Sequence, residues 1–431
     1  MIRKTLLIGA CTCCVLSNAL AQDADKFKEA MQAAENAAKE KKYDLMLESY
    51  QNAAKLAPEK EKFNTQLKIA AALERSDSLR MKVEAVKAYG EALKLASNQD
   101  EKVNALIRLG KTQYAAGYPD DETALKTIRS IIDSPDSTAT HKFDAYIAIA
   151  DLSPSFESFE KLCRQALGLP GISQAQKITV YQRLIEKHRA YYGTRNLPAA
   201  LKVLEEAIAR EDLADKRISF MSQMGEVQQE LRRFEEARQT FKKMMALPKA
   251  SNNDIANAWM KIAGTYLADV KYMDVPSAKQ YEEAIKCYQE ILKLEKVDYS
   301  NAWLALAKAY FAMDDYENTA KYVQMIIGTP KINGNTLAQA LCISGDMDAK
   351  KENYQSAFES YEKAFHIKDV SGENKITALD KLVTMAYALK NYDAAVKYLE
   401  ELKKTPGRYS KRNSLDRYIE TAGNIKAQSK E

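Results

Sequence analysis

Residues 284–310 read AIKCYQEILKLEKVDYSNAWLALAKAY, and the pattern of this stretch indicates the fold of the chain. In its first half, Ala284, Tyr288 and Ile291 are spaced by four and then three positions, which puts all three on one face of a helix. Its second half follows the helical rule i, i+3, i+4, i+7: Trp303, Leu306, Ala307 and Tyr310. The stretch therefore predicts two successive helices, each with one apolar face.

The triplet of a small residue followed by larger ones recurs along the chain. Successive triplets start roughly 35 to 47 residues apart, which is the spacing of helix-pair repeats. A fainter unit from Phe159 to Leu167 fills one gap, and Thr319 takes the small position of another unit. We therefore predict about ten helix pairs. The other triplets are Met46, Tyr50, Ala53; Ala85, Tyr89, Ala92; Ala124, Ile128, Ile131; Ala200, Leu204, Ala207; Ala237, Phe241, Met244; Ala357, Tyr361, Ala364; and Ala395, Leu399, Leu402.

The helices that precede these triplets carry a small residue beside a large apolar one. Gly110 follows Leu109, and Gly225 follows Met224. A small residue at this place lets two helices approach closely, so we predict that each pair packs as an antiparallel hairpin with its second helix against the glycine or alanine of the first.

Proline positions support the same helix boundaries, because none of them interrupts a predicted helix. Six prolines fall just after a second helix, where proline ends a helix: Pro58, Pro135, Pro170, Pro248, Pro330 and Pro406. Four fall at or just before the start of a second helix, where the missing N–H costs nothing: Pro119, Pro154, Pro198 and Pro276.

These residues resemble the tetratricopeptide repeat family. Residues 303–310 with the Asp-Tyr-Glu turn at 315–317 are similar to the first helix and turn of that repeat. Residues 284–291 are similar to its second helix, and Pro58 to its closing proline. The resemblance spans nearly all of residues 25–405, and the stretch Leu267–Gln280 departs from it as an insertion.

The resemblance implies an all-α fold, a right-handed superhelical solenoid of antiparallel helix pairs over residues 22–405. A last helix, predicted from Tyr409 to Gln428 within the segment 406–431, should cap the open end, because a terminal repeat would otherwise expose its apolar face.

Residues 1–21 have the pattern of a cleaved signal peptide. Arg3 and Lys4 form a basic start, a short apolar run follows, and Ala-Leu-Ala at 19–21 offers the small residues that signal peptidase requires. We therefore expect export to a periplasm or beyond it. Cys11 and the residues before it loosely resemble a lipobox, which would instead leave a lipid anchor at Cys11. Too few residues precede Cys11 for that alternative to be favoured.

The sequence shows no pattern of catalytic or metal-binding chemistry. Its histidines lie in different predicted units, and no HExxH, GxSxG, Walker or dinucleotide-binding motif occurs. His188 takes the place of an aromatic residue in a first helix, so it is predicted to pack. We expect no enzyme activity, cofactor or metal. The cysteines that remain after the signal are predicted to be small buried residues: Cys163, Cys287 and Cys342.

The charge balance also excludes one class of partner. The net charge of +5 comes from 64 basic and 59 acidic residues, so no global positive field favours nucleic acid.

The C-terminal stretch is denser in positive charge and could contact an acidic partner or an anionic lipid surface. Asp416 and Glu420 favour the simpler interpretation of a solvated helix. The basic residues are Lys403, Lys404, Arg408, Lys411, Arg412 and Arg417.

The family resemblance implies that the first helices line a concave groove that binds a peptide or a partner helix. Asn side chains there could pair with a ligand backbone, and Lys side chains with its carboxylates. The paired Lys and Asn carboxylate clamp of the family is not found. The groove candidates are Asn104, Lys111, Tyr114, Asn257, Met260, Asn301, Leu304, Lys308 and Phe311.

We therefore predict an exported scaffold of the cell envelope that binds a protein or peptide partner. The alternative is an all-helical carbohydrate-binding or carbohydrate-active envelope protein. Such proteins use aromatic platforms, whereas Trp259 and Trp303, which are the two tryptophans, are already needed for helix packing. A third class, a structural protein held at a membrane by lipid on Cys11 or by the basic C-terminal stretch, remains open at this point.

Overall fold

The computed structural model describes residues 25–190, 195–271 and 274–428. The predicted signal peptide at 1–21, with Cys11, lies outside the described residues. Within those ranges the chain is helical without a β-strand, and no helix combines the length and apolar character needed to cross a membrane. The all-α prediction is confirmed.

The described residues form two compact units, divided between Asn196 and Leu197. In the first unit α1 covers 25–39 of the described residues. The unit continues with α2 Tyr43–Leu56, α3 Lys62–Glu74, α4 Leu79–Leu95, α5 Gln99–Ala116, α6 Asp121–Asp133, α7 Ala139–Leu152, α8 Phe156–Leu167 and α9 Gln174–Arg189. The second unit contains α10 Leu197–Ala209, α11 Arg217–Glu230, α12 Phe234–Met245, α13 Asn252–Ala268, α14 Ala278–Ile291, α15 Ser300–Ala312, α16 Tyr316–Ile327, α17 Gly334–Lys350, α18 Tyr354–His366, α19 Gly372–Ala388, α20 Tyr392–Lys404 and α21 Leu415–Gln428.

Consecutive helices pack on each other within each unit, as the repeat predicts. In the first unit α3 packs with α4, α5 with α6, and α7 with α8. In the second unit the pairs run from α11 with α12 to α19 with α20. First helices of successive pairs also contact each other, for example α5 with α7 and α15 with α17. The fifth predicted pair, α9 with α10, falls on the boundary between the units.

The predicted triplets are the buried faces of the second helices. Every member of the eight triplets is buried, among them Tyr89 and Phe241, which are fully enclosed. Thr319 is buried in the small position as predicted, and its hydroxyl donates to the Asp315 carbonyl oxygen at 2.7 Å. In α8, Phe159 stands where the small residue belongs and Cys163 takes the large position, which explains why this unit is faint in the sequence.

The small residues of the first helices lie directly beneath large side chains of the second helices. A Cβ on Gly225 would lie 2.4 Å from the ring of Phe241, and one on Gly345 would lie 2.5 Å from the ring of Tyr361. A Cβ on Gly110 would meet Ile128 at 2.4 Å and the backbone oxygen of Ala124 at 2.9 Å. Glycine is therefore required for the observed closeness of these three pairs.

Short turns of one kind connect several of the pairs. The residue two positions before the second helix has a positive φ, for example Arg232 (59°) and Glu352 (60°). The N–H of the following residue then donates to a backbone carbonyl oxygen near the end of the first helix. For example, the Asn353 N–H donates to the Asp348 carbonyl oxygen at 2.9 Å. This is the Schellman arrangement, which satisfies carbonyls at a helix end and reverses the chain within a few residues.

The last helix covers the end of the second unit but starts later than predicted. α21 begins at Leu415, not at Tyr409, because the guanidinium of Arg412 donates to the carbonyl oxygens of Thr405 and Gly407 at 2.7 and 3.1 Å. These bonds hold the segment in a bend before the helix. Leu415 is buried with α19 and α20 in one apolar cluster. Nine prolines lie outside the helices, and Pro198 lies in the first turn of α10, so none interrupts a helix.

We expect Gly110→Ala to lower the free energy of unfolding by about 1–3 kcal/mol, because the added methyl overpacks the contact with Ile128 and the Ala124 carbonyl. The matched control is Gly90→Ala in α4, where nothing lies within 4 Å of the added Cβ. That control should gain about 0.5–1 kcal/mol from helix propensity. Urea unfolding of both variants measures the difference, and shifts of the same sign in both variants would contradict the packing described.

Candidate functional site

One cavity of the second unit collects five of the nine predicted groove residues. It has a volume of about 370 Å³ and is lined by α13, α14 and α15. Leu304 is buried in its floor, whereas Asn257 and Asn301 are exposed at its rim. The predicted residues in this cavity are Asn257, Met260, Asn301, Leu304 and Lys308.

Two further cavities continue along the first helices of the same unit. A cavity of about 250 Å³ shares Lys308 with the first one, and a cavity of about 520 Å³ shares Asp346 and Lys381 with the second. The third cavity contains Phe311, another predicted residue. Since neighbouring cavities share wall residues, they form one surface, which we call the α13–α19 groove.

An acid and a base close one part of this groove. Lys381 of α19 donates to Asp346 of α17 at 2.5 Å, and the hydroxyl of Tyr361 donates to the same carboxylate at 2.6 Å. Burial, with the Asp346 charge, raises the pKa of Tyr361 well above its usual range, so the phenol stays protonated and remains a donor. The positive charge of Lys381 is thus balanced from within the protein.

A second lysine–carboxylate ion pair of the same kind occurs in this unit. Lys261 of α13 pairs with Glu226 of α11 and lies 5.7 Å from the centre of the Phe241 ring. Both ion pairs join residues 35 positions apart, and each lysine lies over the large residue that packs beneath it. Neighbouring first helices are therefore tied together by an acid–base bridge above the buried aromatic side chain.

Lys308 differs from these lysines because its partner is neutral. Its ammonium donates to the Gln339 side-chain oxygen at 2.6 Å, and no carboxylate of the described residues forms an ion pair with it. The side chain keeps contact with solvent, yet the groove walls remove part of its hydration, and this burial lowers the pKa of Lys308. Lys308 is thus an uncompensated cation at the junction of two cavities.

The first unit holds three of the predicted groove residues, and the two that line a cavity are already engaged. Asn104 and Lys111 line a cavity of about 790 Å³ between α5 and α7. Asn104 accepts a hydrogen bond from Arg108 Nε at 2.8 Å, and Lys111 pairs with Asp151 at 3.3 Å. Tyr114 is half-buried on α5 and does not line this cavity. Eight of the nine predicted residues therefore divide between two cavity regions, and Tyr114 lines neither of them.

The histidine and cysteine predictions are confirmed as packing. His188 is buried, and its ring meets that of Phe156 edge-on at 4.7 Å between centres. Burial lowers the pKa of His188, against the opposing charge of Glu160. Burial also raises the pKa of each remaining cysteine to about 11, which leaves these thiols protonated. In the described ranges, no three His, Cys, Asp or Glu side chains are grouped closely enough to hold a metal ion.

Half of the basic residues near the C-terminus are used within the protein. Lys403 pairs with Asp416 at 2.5 Å, and Lys404 with Glu401 at 3.1 Å. Arg412 binds backbone carbonyls before α21. These contacts fit the interpretation of this stretch as a solvated cap.

Sequence reasoning missed the groove residues of α17 and α19. Gln339, Asp346 and Lys381 line the groove, and none was predicted. The predicted groove residues come only from the first helices that are now α5, α13 and α15. The sequence signal for them is an acidic residue followed by a lysine 35 positions later. It occurs at Glu226 and Lys261 and again at Asp346 and Lys381.

We expect Asp346→Asn to lower the free energy of unfolding by about 1–2 kcal/mol, because Lys381 would lose its counter-charge and Tyr361 its charged acceptor. Glu295→Gln, which neutralises an exposed carboxyl without a side-chain partner in the described residues, should change the stability by about 0.5 kcal/mol or less. Chemical unfolding of the two variants decides this, and equal effects would show that the acid–base bridge does not stabilise the unit.

Comparison with known proteins finds only distant likenesses. No family model matches the chain, and no curated protein matches it. Among solved structures it is similar to Cut9 in the APC/C Cut9–Hcn1 hetero-tetramer (12% identity, TM-score 0.37, 93% of this chain and 90% of that chain). It is also similar to yeast Tom70 (13%, 0.36, 94% and 97%) and to a tetratricopeptide repeat protein from Parabacteroides merdae (13%, 0.32, 75% and 98%). These values are too low to carry a function.

The packing within each unit, with a small residue beneath a large one in the helix pairs, makes the chain an all-α array of tetratricopeptide-like helix pairs.

Proposed function

We propose that this protein is a non-catalytic scaffold of the cell envelope that binds a segment of a partner protein in the α13–α19 groove. The observation that carries the proposal is Lys308, an uncompensated cation between two cavities. A carboxylate of the partner would supply the counter-charge that the protein itself does not provide. Such a pair, partly shielded by the groove walls, favours binding and fixes the register of the partner.

The surroundings of Lys308 suit a peptide segment. Asn257 and Asn301 expose amides, which can both donate to a peptide carbonyl and accept from a peptide N–H. Between them, Met260 and Leu304 offer apolar surface for a side chain of the partner. Amides, one cation and an apolar floor are the elements of a peptide-binding groove with limited sequence preference.

Export is the second part of the proposal, and it rests on the sequence of residues 1–21. The basic start, the apolar run and the small residues at 19–21 favour cleavage before Gln22 over lipid attachment at Cys11. Mass spectrometry of the protein isolated from its own cells distinguishes the two forms by the mass of the N-terminal peptide.

The carbohydrate alternative gains no support from the tryptophans. Trp259 and Trp303 are both partly buried against the apolar cluster of the second unit, and Trp303 lies beside the ring of Tyr299. A sugar platform needs an aromatic face open to the ligand. We therefore do not propose this function.

The test is a pull-down from native envelope extract with the mature chain and with the groove variant Asn257→Ala, Asn301→Ala, Lys308→Ala. A matched control carries Asn253→Ala, Asn424→Ala and Lys243→Ala, which are the same residue types exposed outside the groove. All three proteins must first agree in circular dichroism and melting. The control should retain the same partner as the unsubstituted chain, and the groove variant should lose it.

The other outcomes are equally decisive. A partner retained by the groove variant would show that the binding surface lies elsewhere on the protein. If no bait retains a protein, the scaffold proposal is wrong for this extract, and glycan binding becomes the next function to test.

A further inference from the structure

The first unit contains a cavity that the proposed function does not use. It lies between the first helices α5 and α7, has a volume of about 790 Å³, and we call it the α5–α7 cavity. Its floor is apolar and its walls carry charged groups. The floor consists of Val103, Ile107, Ile147 and Ala148.

One end of the cavity is closed by a histidine–carboxylate bridge. His141 Nε2 lies 2.7 Å from Asp100 Oδ1, and His141 Nδ1 accepts a hydrogen bond from the Thr138 N–H at 3.2 Å. An Nδ1 that accepts this bond carries no hydrogen, so Nε2–H is the donor to Asp100. The Asp100 carboxylate is therefore already engaged by His141.

The other end is closed by a carboxylate shared between two cations. Asp151 of α7 pairs with Lys111 of α5 at 3.3 Å and also with Arg183 of α9. Arg108, which also lines the cavity, donates from Nε to the Asn104 side-chain oxygen at 2.8 Å. The basic groups that face the cavity from α5 and α9 are thus each engaged by another residue.

Asp144 lies between these two closed ends and has no such partner. It follows His141 by three positions and precedes Asp151 by seven, so all three share one face of α7. Its carboxylate makes no hydrogen bond or ion pair with any described residue, although it is exposed within the cavity. Burial in the cavity walls raises the pKa of Asp144, with His141 acting weakly in the opposite direction. Glu74, the remaining acid of the cavity, accepts from Tyr89 and Thr112.

We propose that the α5–α7 cavity binds a lysine or arginine side chain of a partner protein. The cation would pair with Asp144, and the methylene chain would lie on Ile107 and Ile147. Long basic side chains combine an apolar stem with a charged head, which matches an apolar floor beside a carboxylate that has no hydrogen-bond or ion-pair partner. The charge of this site is opposite to that of Lys308 in the second unit, so the two units would recognise different features of their ligands. The proposal does not depend on the groove of the second unit.

The test uses purified protein on an array of immobilised peptides in matched sets, identical except for Lys, Arg, Gln or Glu at one central position. The unsubstituted protein should prefer Lys or Arg over Gln by about fivefold, the value of one partly exposed ion pair. Asp144→Asn should lose this preference, and Asp144→Lys should reverse it in favour of Glu. Asp136→Asn, at an exposed turn outside the cavity, should retain it.

Two results would overturn the proposal. The first is the absence of a preference for basic peptides in the unsubstituted protein, and the second is the same preference in Asp144→Asn. After the first result, calorimetry with spermidine identifies the occupant: if spermidine binds in an Asp144-dependent way, the cavity takes a free polyamine. Because Asp144→Lys gains a new preference, loss of folding in one variant cannot imitate the expected result.

Discussion

The helix pairs depend on one close contact, in which a small residue of the first helix lies beneath a large side chain of the second. Gly225 under Phe241 and Gly345 under Tyr361 show it directly, because a single added carbon would meet the aromatic ring. This contact sets how closely the two helices approach and therefore which faces remain for the next pair. A hairpin that is held in this way still exposes an apolar stripe, so each pair needs its neighbours within the unit for stability.

The same contact determines where charged groups can gather. Because the large side chain of the second helix fills the space under the first helix, the opposite face of the first helix is left to line a groove. Acid–base bridges such as Asp346 with Lys381 tie neighbouring first helices together and balance charge on that face. Lys308 and Asp144 line cavities without an ion pair to any described residue. The binding specificity of such a protein therefore depends on charged side chains that have no ion-pair partner within the protein.

The repeat and most helix boundaries could be predicted from the sequence, because the small–large spacing, the turns and the prolines all express one packing rule. The start of α21 could not be predicted, because it depends on hydrogen bonds from the Arg412 guanidinium to the carbonyl oxygens of Thr405 and Gly407. Helical periodicity does not indicate such bonds. Nine residues were predicted to line one groove, and five of them line a single cavity of the second unit. Lys111 was predicted as a groove residue, but its pairing with Asp151, 40 positions away, was not visible. Side-chain pairing between repeats depends on the register of neighbouring helices, which helical periodicity within one repeat does not give.

A double-mutant cycle at Gly225 and Phe241 tests the small-under-large contact most directly. It measures the free energy of unfolding for Gly225→Ala, Phe241→Leu and the double variant. The alanine removes the space for the ring, whereas leucine leaves a cavity, so the two changes should partly compensate. We expect the double variant to be more stable than the sum of the single effects by at least about 1 kcal/mol. Additivity within about 0.5 kcal/mol would mean that these side chains do not set the distance between the helices, and it would contradict the account of the fold.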